Sequence, residues 1–68
     1  MSDNEIAVVE AIEKHNGYHS WVAVQLIEAE TGIDRNTIND VLKDLHKKRM
    51  LKDVQFLGSD TPALFRLR

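Results

Sequence analysis

The chain has 68 residues, 43% of them hydrophobic and 29% charged, with no cysteine, three histidines and a formal net charge of −2. That length gives one domain with one core, too small for a deep catalytic cleft or for several sites. No disulfide can form, three scattered histidines argue against structural zinc, and apolar runs broken by charge argue against a membrane span, so packing alone must hold the fold.

Met1 is followed by Ser2-Asp3-Asn4-Glu5 rather than by a basic and then apolar leader, so no signal peptide is read here. The expectation is a soluble chain in a reducing compartment: cytoplasmic, nucleoid-associated, or inside the host if viral.

Ser2 and Glu5 have the spacing of a capping box, and Ile6, Val9 and Ile12 recur at helical steps behind them. A first helix is therefore expected from about Asn4 to His15. It should stop at Asn16-Gly17, with the glycine accepting a left-handed C-cap. Tyr18 and His19 leave room for only a very short extended segment. Ser20 is the expected N-cap of a second helix running through Glu30, with Gly32 just past its end. Trp21, Val22, Ala23, Val24, Leu26, Ile27 and Ala29 make that helix apolar nearly all round.

Asp34 can cap a third helix, the clearest in the chain. Ile38, Val41, Leu42 and Leu45 form one stripe, and Arg35, Asn36, Asn39, Lys43 and then His46 or Lys47 lie opposite. After Lys48-Arg49 the period changes to two: Val54 and Phe56, then Phe65 and Leu67, flank Gly58-Ser59-Asp60-Thr61-Pro62. Two strands joined by that turn make a C-terminal β-hairpin.

Charge is polarised along the chain. Residues 1–34 hold one lysine against seven acids, whereas residues 35–68 hold eight Lys or Arg against four acids. A domain with one phosphate-facing side would show this asymmetry. Acidic helix starts and basic helix ends would produce part of it without any partner.

Three helices and a hairpin, with a glycine turn between the second and third helices, resemble a winged helix-turn-helix domain. The class is α+β, and the resemblance covers nearly all of residues 1–68 as a single domain. The segment that carries it is Thr31-Gly32-Ile33-Asp34-Arg35-Asn36-Thr37-Ile38, followed by Val41-Leu42, Leu45 and Met50-Leu51. Gly32 permits the turn, Ile33 plugs the angle between helices, and Asp34 caps a helix whose N-terminal end would face a groove. Many such domains have glycine where this chain has Arg49; a left-handed residue there costs about 1 kcal/mol.

Within that class, "INDVLKDL" and "TPALFRLR" are similar in part to the Z-alpha and Z-beta domains associated with left-handed nucleic acid. Asn39 stands at their key asparagine and Arg35 near a basic phosphate contact. Thr61-Pro62 and Phe65 fall at their proline pair and tryptophan. Lys43 replaces their tyrosine, Asp40 a basic residue and Ala63 the second proline, which removes much of the Z-specific surface.

The resemblance implies a small prokaryotic or viral transcriptional regulator that binds double-stranded DNA. Arg35, Asn36, Asn39 and Lys43 would meet base edges, since arginine pairs bidentately with guanine and asparagine with adenine. Lys47, Lys48, Arg49, Lys52, Arg66 and Arg68 would meet phosphates. The plain alternative is a solvated helix face held by pairs such as Asp40 with Lys43 and Asp44 with Lys48. Carboxylates at 40 and 44 also count against a nucleic acid.

A second function is open: a protein-interaction module that docks a host or partner protein through the net-negative front half or the apolar second helix, or a homodimer, with Val8, Trp21 and Val24 as the candidate apolar patch. Catalysis is not expected, because His15, His19 and His46 fall on different elements and no nucleophile or phosphate-loop motif is present. No cofactor, metal or small-molecule substrate is read from the sequence, and no membrane partner.

Overall fold

A computed structural model of the protein describes residues 2–58 and 61–68. The elements are α1 (Asp3–Lys14), β1 (Val22–Ala23), α2 (Val24–Thr31), α3 (Arg35–Lys47), β2 (Leu51–Leu57) and β3 (Thr61–Leu67). The strands form one antiparallel sheet in the order β1-β3-β2, so the last strand is central. This is the α+β winged-helix arrangement. Ser59 and Asp60 of the expected turn lie outside the described residues.

The first helix starts as expected and ends differently. The Ser2 hydroxyl accepts the Glu5 N–H at 3.2 Å, one half of a capping box, and contributes about 1 kcal/mol. The Glu5 side chain does not return to the cap. It lies 7% exposed and meets the Lys48 ammonium at 3.1 Å instead. The inward stripe is Glu5, Val8, Ala11 and Ile12, leaving Ile6 41% exposed, because the core lies one residue round the helix from the expected line.

At the end of α1 the left-handed residue is Asn16 (φ 60°), and not Gly17. Asn16 N–H donates to the Glu13 carbonyl and Gly17 N–H to the Ile12 carbonyl, at 3.0 and 2.8 Å, the two bonds of a Schellman turn. Gly17 serves close approach: a Cβ there would sit 2.7 Å from the Ile12 carbonyl oxygen. Its own carbonyl accepts the Leu67 N–H at 2.6 Å, tying the turn to the end of β3.

The second helix is shorter than its sequence suggests. Val22 and Ala23 pair with Phe65 and Leu64 of β3, and α2 begins only at Val24, capped by Ala23 without any side-chain bond. The β-branched Val22, fully buried beside Phe65, gains more from the sheet than from one further helical turn, so tertiary packing overrides local preference. Ser20 therefore caps nothing, and the extended segment lies at Val22–Ala23 rather than at Tyr18-His19.

Gly32 closes α2 in the left-handed region (φ 72°), and Asp34 caps α3, both as expected. Ile38, Leu42 and Leu45 are buried on α3, with Val41 and Ile33 packed against the same core. Arg49 holds φ 62°, in a second Schellman turn closed by Arg49 N–H to the His46 carbonyl and Met50 N–H to the Leu45 carbonyl. In the hairpin Phe65 and Leu67 are buried, whereas Phe56, next to a register shift between Gln55 and Phe56, is 43% exposed and edge-on to the His46 ring.

Candidate nucleic-acid interface

The N-terminal end of α3 is firmly built. The Asp34 carboxylate accepts the Thr37 hydroxyl at 2.7 Å and the Thr37 N–H at 3.1 Å, and these bonds hold its pKa below the ordinary aspartate value. The Thr31 hydroxyl donates to the Ile27 carbonyl and accepts the Ile33 N–H, which fixes the turn between α2 and α3. Two short bridges thus aim the first turn of α3 outward.

From that turn Asn36 is exposed, while Arg35 and Asn39 line a groove of about 80 Å³ between α2, α3 and the hairpin, together with Gln25, Leu57, Thr61 and Pro62. The Asn39 carboxamide oxygen is buried and has no hydrogen-bond partner among the described residues. Buried polar atoms are normally satisfied, so an orphan acceptor on a groove-lining residue is a candidate contact for a donor. Val24 and Gln25 open α2 beside it, and that helix start has no side-chain cap. Its first backbone N–H groups carry the partial positive charge of a helix N-terminus.

The cations divide into two sets. Arg35 is held by Glu28 at 2.9 Å, Lys48 by Asp44 at 2.9 Å and by Glu5, and Arg66 by Asp53 at 2.6 Å while stacking on Trp21 at 4.6 Å. Asp44 is kept below the usual carboxylate range by its bond from Lys48, and the Lys48 ammonium is raised first by Asp44 and then by Glu5. Of the expected phosphate contacts, Lys48 and Arg66 are therefore structural tethers. Lys47, Arg49, Lys52 and Arg68 are exposed, with no ion pair among the described residues. Lys43 is half-buried on α3. Twelve residues separate Arg35 from Lys47, about 18 Å along the helix.

The expected apolar patch is not assembled. Val8 (0% exposed) and Val24 (5%) belong to the core, because α1 and α2 turn them toward Ile12 and Ile27. Of that trio only Trp21 reaches solvent, at 40%, and its ring faces the Arg66 guanidinium. Sequence reasoning identified the Asp44–Lys48 pair at helical spacing but missed Glu5, Glu28 and Asp53 as tethers. Glu28 and Arg35 stand seven residues apart across a turn, and Glu5 and Lys48 forty-three apart, so no local period signals either pair.

Fold and groove together define a winged-helix module. A family model described as Rio2, N-terminal, matches residues 1–63, and the chain belongs to that family of winged-helix-like domains. No curated protein sequence and no solved structure matches the chain. Among the described residues, no helix is long and apolar enough to cross a membrane.

Proposed function

We propose that this winged-helix module binds duplex nucleic acid by occupancy, without chemistry of its own, through the N-terminal half of α3 and the hairpin. The observation that carries the reading is Asn39: an unpartnered carboxamide oxygen in a groove shared with Gln25, Arg35 and Thr61. Amides and guanidinium groups are the side chains that match base edges, and asparagine in particular matches adenine. The uncapped start of α2 offers N–H groups to a phosphate, and Lys47 and Lys52 offer positive charge farther along. In a regulator, two such domains in a homodimer would multiply a weak individual contact.

The test is fluorescence anisotropy of labelled duplexes, one of random sequence and one of alternating GC, at two salt concentrations. Binding should weaken by about one logarithmic unit per logarithmic unit of salt for each phosphate neutralised. Asn39→Ala should remove discrimination between sequences, whereas Lys47→Ala should weaken all of them alike. A preference for the GC repeat under left-handed conditions would extend the reading to Z-form nucleic acid. Absence of binding at low salt would overturn it.

A second reading, a protein-interaction module, draws on two observations. Arg35, Lys48 and Arg66 are engaged inside the domain, and the hairpin exposes Phe56 and Leu57, the latter at 72%. A partner bound there would respond weakly to salt and strongly to Leu57→Ser.

A further inference from the structure

At the far end of α3 from the Asn39 groove lies a second depression of about 270 Å³, lined by Val9, Tyr18, Arg49, Met50, Leu67 and Arg68. Its floor is apolar: Val9 and Met50 pack on the core and Leu67 belongs to it. Its rim is basic. Arg49 and Arg68 are exposed without an ion pair among the described residues. The Glu13 carboxylate accepts the Tyr18 hydroxyl at 2.7 Å, which positions the ring.

Arg49 gives this end its significance. It occupies a left-handed position (φ 62°) that glycine would fill with less strain, and its guanidinium answers no carboxylate within the described part of the domain. We infer that this depression docks an acidic peptide segment, seating one apolar side chain on Val9, Met50 and Leu67 while flanking carboxylates meet Arg49 and Arg68. Charge complementarity selects the occupant. A phosphate backbone would use the arginines and leave the apolar floor unused, whereas an acidic peptide with a leucine uses both.

The inference is separable from duplex binding at the Asn39 groove, because the two depressions share no lining residue. A fluorescein-labelled peptide with one leucine between Asp and Glu residues is titrated into the ¹⁵N-labelled protein, following anisotropy and amide shifts. The expected result is binding that moves the amides of Val9, Tyr18, Met50, Leu67 and Arg68. Replacing the leucine by serine should weaken it about tenfold or more. Replacing the acids by their amides, or making Arg49→Gly, should weaken it about threefold to fivefold. Arg49→Gly relieves backbone strain but loosens the unfolded chain, so Tm should stay within about 5 °C of the parent and separate lost binding from lost folding. Equal affinity for the serine peptide, an unchanged affinity of the Arg49→Gly variant, or a random duplex moving these amides in place of the peptide would each overturn the inference.

Discussion

The two ends of α3 differ in how they hold their charge. At the N-terminal end the one arginine is answered by Glu28, and the group left without a partner is neutral, the Asn39 carboxamide. At the C-terminal end Lys48 ties α3 to Glu5 of α1, while Lys47 and Arg49 on either side of it stand in solvent. Counting charges along the chain placed a single basic face over the whole second half. The structure instead separates a shaped polar groove from a charged rim over an apolar floor.

The comparison breaks most severely if the core that spaces the two ends is opened. Leu42→Ala should destabilise the domain by about 2–5 kcal/mol, against a total of about 3–10 kcal/mol for a chain of this length. Chemical denaturation would read this, and both ends should lose their ligands together. Asn39→Ala is next: it should cost about 1–3 kcal/mol in discrimination between duplex sequences and leave the denaturation midpoint nearly unchanged, because the buried carboxamide oxygen it removes has no partner among the described residues. A large loss of stability would mean that Asn39 is a core residue.

Glu28→Gln sharpens the contrast by releasing Arg35. Duplex affinity should rise, by about fivefold at most for an exposed pair, and the salt slope should steepen by about one. No change would show that Arg35 does not meet a phosphate or base. The smallest effect concerns the tether at the other end. Asp44, with its pKa lowered from 3.8, contributes stability that is present above that value and disappears as pH falls through the folded pKa. Lys48, raised from 10.5, contributes below that value and loses its contribution as pH rises through the higher folded pKa. Tm measured against pH should therefore droop at both extremes, and Lys48→Met should flatten both limbs.

What could be read from the sequence follows the range of the forces involved. The Asp34 cap, the Gly32 turn, the Ile38–Leu42–Leu45 stripe and the left-handed Arg49 are local, and the residues that cause them stand within a turn of where they act. The start of α2 was not legible, because Val22 and Ala23 become a strand only when Phe65 and Leu64 arrive from the other end of the chain. Alternation in the sequence marked Phe56 as a strand residue, but not the register shift beside it or its exposure. At the site, the sequence named candidate residues on α3 but not their condition. That Arg35 is tethered, that Asn39 is unpartnered, and that Val8 and Val24 are interior are facts about neighbours distant in sequence.

The most direct test of duplex recognition by the N-terminal end of α3 is an amide-shift titration of the ¹⁵N-labelled protein with a random duplex at low salt. The account predicts that the perturbed amides group at residues 24–25, 35–39 and 61–63, with the Asn39 side-chain amide among them. Shifts confined to residues 49–52 and 67–68, or no shifts at all, would contradict it.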